Sequence, residues 1–109
     1  MTAPPMSEQD FQQQVTDLAE LYSWSWVHFR PAQTAKGWRT PVSGPLGKGW
    51  PDLILVRARD QRVIFAELKT DAGKATADQA ATLAFLTESG AEAHLWRPRD
   101  FDAIQEVLR

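Results

Sequence analysis

The sequence predicts a single α/β domain in which a mixed β-sheet is flanked by helices. Three observations lead to this class. Apolar residues recur at helical spacing near the start, several short runs are rich in β-branched and aromatic residues, and the two patterns follow one another in the order αβββαβα. With 109 residues, 43% of them apolar and 24% charged, the chain suits one compact domain. We expect residues 1–6 to form a disordered tail and residues 7–109 to form the domain.

The first elements follow directly from the residue pattern. Ser7 is a suitable cap for a helix over about residues 7–22. The apolar positions of that helix recur at intervals of about one turn: Phe11, Val15, Leu18, Leu21 and Tyr22. The segment 23–30, SWSWVHFR, is typical of a strand, and Pro31 ends it.

The middle of the chain predicts a long loop and then a hairpin. Residues 31–49 contain three prolines and four glycines without any periodic pattern, so we expect a loop that closes over a substrate. The segments 52–57, DLILVR, and 62–69, RVIFAELK, have the composition of strands. The short polar segment ARDQ (58–61) between them suits a hairpin connection.

The last third of the chain predicts helix, strand and helix. A second helix is expected from about Thr76 to Ser89, with Gly90 as its stop. The segment 91–97, AEAHLWR, is expected to form a fourth strand. Pro98 breaks this strand, and a short closing helix follows with Asp100 as its cap.

Composition removes several classes of function. The absence of cysteine excludes disulfide frameworks, thiolate zinc sites and a cysteine nucleophile, and it fits a reducing cytoplasm. No apolar run approaches the roughly 20 residues of a membrane span, and the first residues lack the features of a signal peptide. We therefore expect a cytoplasmic protein without a membrane partner.

Charge is distributed unevenly along the chain. The net charge is −2, but residues 30–74 carry nine basic and four acidic side chains, whereas residues 1–29 carry four acidic and no basic ones. A local basic field of this kind can bind phosphates, although a solvated loop accounts for it equally well.

The hairpin brings two acidic residues together. If residues 58–61 form its connection, the register pairs Arg57 with Arg62 and places Asp52 opposite Glu67, with Cβ atoms roughly 4.5–5.5 Å apart. Strand alternation puts Lys69 on the same face as Glu67. Two adjacent carboxylates repel each other unless a cation lies between them, and oxygen ligands suit Mg²⁺ or Mn²⁺. The alternative is that the acids mark frayed hairpin ends, with Lys69 in an ordinary surface salt bridge.

A longer pattern surrounds these residues. A Pro-Asp pair that opens a strand, fifteen residues before the Glu of Glu-x-Lys, resembles the PD-(D/E)xK nuclease superfamily. The segments GKGWPDLILVR, VIFAELKTDAGKATADQ and GAEAHLWRPRDFDAIQEVL together resemble the small VRR-NUC nucleases of phages and prophages. The resemblance extends from about Ser7 to Leu108. It implies the αβββαβ restriction-endonuclease-like core and a metal-dependent phosphodiesterase acting on branched DNA, similar to Holliday-junction resolvases.

The resemblance also implies roles for individual residues. Asp52 and Glu67 would be metal ligands, and the carbonyl group of Leu68 would add a further oxygen. Lys69 would orient the attacking water or stabilise charge in the transition state. Gln79 matches a glutamine that lies near the metal site or the phosphate in this family, but the segment 76–79 is also a T-x-x-Q capping box. Both interpretations of Gln79 stay open.

The first helix departs from the broader pattern. Related resolvases carry a metal-binding Glu on this helix, and the matching position here is Gln12, a weaker ligand. Glu8 lies one turn away on the same edge of the helix. Either side chain can reach the site, and both can equally be a solvated helix edge.

Further residues are candidates for contacts with DNA. They lie on the first strand, in the long loop and before the second helix: His28, Arg30, Lys36, Arg39, Ser43, Lys48, Trp50, Lys74 and Thr76. His28 can act as an acid or a base near neutral pH, but a structural histidine is an equally simple interpretation. Trp38 beside Arg39 can stack on an unpaired base, whereas Trp24, Trp26 and Trp96 are assigned to packing.

The predicted activity is that of a Mg²⁺- or Mn²⁺-dependent endonuclease that cuts branched DNA as a homodimer. A four-way junction has near two-fold symmetry and needs two cuts, and a chain of this size holds one site. Two alternatives stay open: a nuclease for flaps, nicked or linear DNA, and a catalytically silent module that binds DNA.

Overall fold

The computed structural model of the protein describes residues 5–29, 32–34, 37–39 and 42–109. Its helices and strands follow in this order: α1 Glu8–Leu21, β1 Ser25–His28, β2 Ala32–Thr34, β3 Gly37–Arg39, β4 Leu53–Arg57, β5 Arg62–Leu68, α2 Ala77–Glu88, β6 Glu92–Trp96 and α3 Phe101–Leu108. Short 3-10 turns lie at Gly47–Gly49, Ala58–Asp60 and Pro98–Asp100. The predicted mixed sheet flanked by helices is confirmed.

The central sheet has four strands in the order β1-β4-β5-β6. β4 pairs antiparallel with both β1 and β5, whereas β5 and β6 run parallel and are connected through α2. The β4–β5 register pairs Arg57 with Arg62 and Leu53 with Ala66, as the sequence predicts. Residues 52 and 67 are therefore the next facing positions at the end of this hairpin.

A single apolar core lies where α1 and α3 pack on the sheet. Alternate residues of β4 and β5 point into it, because successive side chains of a strand lie on opposite faces. The fully buried members are contributed by α1, the sheet and α3: Phe11, Val15, Ala19, Leu53, Leu55, Ile64, Ala66, Leu68, Ile104 and Leu108. Trp24 and Trp96 are almost fully buried beside them and Trp26 packs against the cluster, which confirms their assignment to packing.

The predicted ends of the helices are mostly confirmed. The hydroxyl group of Ser7 accepts a hydrogen bond from the Asp10 N–H at the start of α1. Gly90, with φ of +90°, follows the end of α2. Asp100 is the N-cap residue of α3, as predicted, but its carboxylate makes no capping hydrogen bond to this helix and instead accepts the N–H of Arg97, which closes the preceding 3-10 turn.

The prediction of an unstructured loop over residues 31–49 is wrong in part. This stretch contains the small antiparallel hairpin β2–β3 and the 3-10 turn 47–49. Strands of three residues are too short for a periodic pattern to show in the sequence. Within the described residues, no helix is long and apolar enough to cross a membrane.

Candidate active site

A cleft of about 340 Å³ lies at the end of the β4–β5 hairpin, opposite its connecting turn. The residues that line it come from α1, from the end of β1, from the segment before β4, from the end of β5 and from α2: Glu8, Gln9, Gln12, His28, Phe29, Gly47, Lys48, Trp50, Asp52, Glu67, Leu68, Lys69 and Gln79. All four predicted catalytic residues, and all five predicted metal-binding residues, are therefore among the lining of one cleft.

Asp52 and Glu67 occupy the positions that the register assigns to them. Glu67 is the penultimate residue of β5 and is only 3% exposed, while Asp52 directly precedes β4. The backbone carbonyl of Asp52 accepts the N–H of Phe29 at 2.8 Å, so this residue is tied to the segment that follows β1. The alternative of frayed hairpin ends does not describe this site, because Glu67 is a buried residue of β5 and a backbone hydrogen bond holds Asp52 just before β4.

Specific polar contacts hold the two carboxylates. Lys69 Nζ lies 3.5 Å from Glu67 Oε2, and the Gln79 Nε2 group donates a hydrogen bond of 3.2 Å to the same oxygen. The backbone N–H of Leu68 donates to Asp52 Oδ1 at 3.3 Å, and His28 Nε2 lies 4.0 Å from Asp52 Oδ2. The side chains of Lys69 and Glu67 are 17% and 4% exposed, so their ion pair is not an ordinary surface salt bridge.

Burial makes it costly to ionise both acids. Desolvation, followed by the charge of Glu67, raises the pKa of Asp52 from 3.8 to about 8. Desolvation also raises the pKa of Glu67, although Lys69 opposes this shift. The charge of Glu8 adds a smaller upward contribution to both pKa values. Perturbed carboxyl groups of this kind in a cleft are typical of functional sites.

These groups have the chemistry of a site for a hard divalent cation. Within the described part of the chain, no three histidine or acidic side chains come close enough to hold a metal ion by themselves. Mg²⁺ needs no such cage, because it keeps several waters and binds through one or two carboxylates together with substrate phosphates. Asp52 and Glu67, whose mutual repulsion a cation would relieve, fit this requirement, and backbone carbonyl oxygens such as that of Leu68 are suitable additional ligands.

The first helix directs two candidate ligands to the cleft. Glu8 and Gln12 are one turn apart, and both line it together with Gln9. Glu8 is exposed at the rim, whereas Gln12 is partly buried. Either side chain can contribute to the site, and their roles stay predictions.

Gln79 forms the capping box and also contacts Glu67, so the two interpretations of this residue do not exclude each other, and its role in the reaction stays a prediction. Its Oε1 atom accepts the N–H of Thr76 at 2.9 Å and its own backbone N–H donates to the Thr76 hydroxyl at 3.1 Å, which completes the capping box of α2. Its Nε2 atom is the donor to Glu67. Thr76 is therefore engaged in the cap, and neither Thr76 nor the exposed Lys74 lines the cleft.

The other predicted DNA contacts are distributed differently. His28, Lys48 and Trp50 line the cleft, whereas Ser43 lies in a neighbouring apolar pocket together with Trp50. Arg30, Lys36 and the side chain of Arg39 lie outside the described residues, as does the side chain of Trp38.

Part of the basic excess of residues 30–74 has a structural role away from the cleft. Arg57 is buried, donates to the carbonyl groups of Tyr22 and Leu108, and pairs with Asp60 at 2.8 Å. Its guanidinium carbon lies 4.4 Å from the centre of the Trp24 ring, and that of Arg62 lies 5.1 Å from the same point. These two arginines therefore hold the turn end of the hairpin against the end of α3.

Two positioning residues were not predicted from the sequence. Gly49 is buried against α2, and a Cβ atom there would overlap the carbonyl oxygen of Asp78, so only glycine allows this close approach. Arg97 Nη1 donates to the carbonyl oxygens of Thr70 and Gly73, at 2.6 and 2.5 Å, and fixes the turn that follows Lys69. The only signals were a glycine two residues before Pro51 and an arginine at the end of a strand, and both are common patterns.

Comparisons with known proteins agree with this architecture. The VRR-NUC domain profile matches residues 8–99, which is most of the chain. A solved structure of a VRR-NUC domain protein superimposes with a TM-score of 0.56 at 22% identity, covering 95% of this chain and 87% of the other. No curated protein matches the sequence. Since the profile covers the helix, the hairpin and the parallel strand that surround the cleft, the chain belongs to the VRR-NUC domain family of nucleases.

Proposed function

We propose that this protein is a Mg²⁺- or Mn²⁺-dependent endonuclease that hydrolyses phosphodiester bonds in branched DNA. The observation that carries the proposal is the convergence of two neighbouring carboxylates, the buried Glu67 and the half-buried Asp52, and one lysine in a single cleft. Glu67 Oε2 lies 3.5 Å from Lys69 Nζ, and the pKa of Asp52 is raised to about 8. Membership of a nuclease family supplies the reaction class, and the cation and the branched substrate are our additions to it.

The residues of the cleft have different roles in the proposed reaction. Asp52 and Glu67, with the carbonyl group of Leu68, would hold the cation. When bound, the cation would polarise the phosphate and make water a better nucleophile. The ammonium group of Lys69 is placed to orient the attacking water or to stabilise the negative charge that develops on the phosphate oxygens. The new bond joins the water oxygen to phosphorus, and the bond from phosphorus to one bridging oxygen breaks.

Gln79 and Lys48 have supporting roles in this scheme. The Gln79 amide donates to Oε2 of Glu67, the oxygen that also faces Lys69, and thereby restricts rotation of this carboxylate. Lys48 is exposed at the rim, where its charge suits the phosphates that flank the scissile bond. Its position on a turn that packs against α2 fixes this charge relative to Asp52.

A homodimer follows from the proposed substrate. A four-way junction offers two near-symmetric strands, and one chain of this size supplies one cleft, so two copies related by a two-fold axis would cut both strands. Size-exclusion chromatography with light scattering, with and without junction DNA, tests this part of the proposal. A monomer that remains a monomer on the junction would contradict it.

Parallel cleavage assays test the activity. Labelled four-way junction, flap, nicked duplex and linear duplex are incubated with Mg²⁺, Mn²⁺ or EDTA. Cleavage of the branched forms that depends on the added cation is expected. Preferential cleavage of linear or nicked duplex would favour the alternative nuclease, and binding without cleavage under all conditions would favour the silent module.

Single substitutions test the assignment of the site. Asp52→Asn, Glu67→Gln and Lys69→Ala are each expected to lower cleavage by ~100-fold or more while junction binding remains measurable. The matched control is Asp60→Asn, which removes a carboxylate from the opposite end of the same hairpin and should leave cleavage within a few-fold of wild type. Near-normal turnover of any of the three cleft variants would refute the site.

A further inference from the structure

A second pocket lies directly beside the cleft. It has a volume of about 390 Å³ and is formed by the segment 42–47 together with Trp50. The side chains of Val42, Pro45, Leu46 and Trp50 give it a mainly apolar lining, and Ser43 adds a hydroxyl group. Apolar pockets with few polar groups are typical sites for flat organic ligands, and this one is not used by the proposed hydrolysis.

The pocket and the cleft share a wall. Gly47 and Trp50 line both of them, so a ligand in the pocket lies next to whatever occupies the cleft. The Trp50 ring contacts Phe65 of β5 edge-on, with ring centres 5.6 Å apart, which fixes it on the sheet. An indole ring held in this way provides a rigid surface for stacking.

The charge pattern identifies the ligand chemistry. The pocket side chains are uncharged. The cleft beside it contains Lys48 and Lys69, and the proposed cation would neutralise the acids that also line it, Glu8, Asp52 and Glu67. A nucleotide has this same division, an uncharged aromatic base next to an anionic phosphate. Because Trp50 lines both cavities, a base that adjoins a phosphate in the cleft would face the wall formed by Trp50.

We infer that this pocket binds an unpaired nucleobase adjacent to the scissile phosphate. The inference rests on the proposed nucleic-acid substrate and makes it more specific. A base in a continuous duplex is stacked and paired, and extracting it is costly, but bases at a branch point are already partly unstacked. The pocket would therefore favour branched over fully paired DNA without reading its sequence, because every base has a face that can stack.

A fluorescence scan tests binding in the pocket without any need for cleavage. 2-Aminopurine, whose emission is quenched on stacking, is placed in turn at each nucleotide around the branch point, and the full chain is added in EDTA. One position is expected to be quenched further by the wild-type protein than its neighbours. The extra quenching should be lost in Trp50→Ala, reduced in Leu46→Ser and unchanged in Phe85→Ala, a control that removes an exposed apolar side chain from α2.

Removing the base itself gives a second, independent readout. An abasic nucleotide at the quenched position should weaken junction binding by wild type by about 5- to 150-fold, the range for loss of one stacked base. The Trp50→Ala variant should bind the abasic junction as tightly as it binds the intact junction, because the side chain on which the base would stack is already absent. If Trp50 had only a structural role, the loss of affinity from Trp50→Ala and the loss from the abasic nucleotide would instead multiply.

The outcomes separate this inference from the proposed activity. Normal cation-dependent cleavage with no position-specific quenching, or with multiplying losses, overturns the base pocket and leaves the nuclease assignment intact. A Trp50-dependent signal at one position in a protein that cuts no DNA supports the pocket and overturns the nuclease. Leu46→Ser serves as the pocket variant if Trp50→Ala fails to fold, since Leu46 does not line the cleft.

Discussion

The substitution Asp52→Asn is expected to stabilise the protein in the absence of divalent cations. The Asp52 side chain is 22% exposed, and burial together with the charge of Glu67 raises its pKa from 3.8 to about 8. An acid whose pKa is higher in the folded state binds protons more tightly when folded, so the folded state is disfavoured as this acid ionises. Asparagine keeps the shape of the side chain and carries no charge.

The size and sign of the effect follow from the two pKa values. Below about pH 3 the carboxyl group is mostly neutral in both states, and the substitution changes little. Between pH 4 and 8 the wild-type protein progressively loses stability that the variant keeps. At ~1.4 kcal/mol per pH unit the difference reaches an upper limit of roughly 5 kcal/mol at pH 8. Because the remaining exposure screens the charge, we expect about 2–3 kcal/mol to be measured.

Urea unfolding in EDTA at several values between pH 5 and 9 measures this difference. Asp60→Asn is the matched control, because the hydrogen bond from Arg57 lowers the pKa of Asp60, and the same change there should not stabilise the protein. Adding Mg²⁺ should stabilise wild type more than Asp52→Asn if the cation binds through this carboxylate. A gain that is absent at pH 8, or that is the same at pH 5 and pH 8, would refute the reasoning.

Three further outcomes follow from the same arrangement. Gln12→Glu adds a negative charge to the cleft lining and should lower the Mg²⁺ concentration needed for half-maximal cleavage, whereas Gln12→Ala should raise this concentration. Superimposable Mg²⁺ titration curves for wild type and both variants would mean that Gln12 is a solvated helix residue. Joint replacement of Lys36, Arg39 and Lys48 by alanine should weaken DNA binding. It should also flatten the slope of log affinity against log salt concentration by up to about three units, one for each phosphate that is no longer neutralised. An unchanged slope would mean that these three basic side chains belong to a solvated loop. Gln79→Glu can keep the helix cap but replaces the amide donor to Glu67 by a second carboxylate, so cleavage should fall, and repulsion between the two acids should lower the thermal midpoint more at high pH than at low pH. A fall in the midpoint that does not depend on pH would attribute the effect to the cap.

Much of the fold was predictable because its helices and longer strands span several repeats of their apolar pattern. The helix of 14 residues repeats its apolar positions several times, and the β4–β5 hairpin fixes its own register through its short connection. β2 and β3, with three residues each, offer no repeat to detect. Asp100 is the N-cap residue of α3 without a side-chain capping bond, because the preceding Pro-Arg-Asp turn and the start of the helix compete for the same carboxylate.

Some residues of the candidate site were also predictable from the sequence, and others were not. Asp52, Glu67 and Lys69 were predictable, because strand pairing alone brings them together and a recognisable pattern surrounds them. The apolar pocket beside Trp50 was not predictable, since it depends on how the segment 42–47 folds back, and no periodicity describes that segment. Tertiary close approach, as at Gly49 against α2, leaves only a glycine in the sequence and no indication of its partner.

The start of α2 explains why local and functional patterns overlap in this chain. A glutamine amide has both an acceptor and a donor, so Gln79 can accept the N–H of Thr76 with one atom and donate to Glu67 with the other. The capping box limits the rotamers of the Gln79 side chain, and its amide donor is thereby already positioned before any ligand binds. The close approach of Gly49 to the same helix sets the distance between α2 and the segment that leads to Asp52. The residue that caps the helix therefore also contacts Glu67, which is why a capping pattern and the pattern of the candidate site coincide on Gln79.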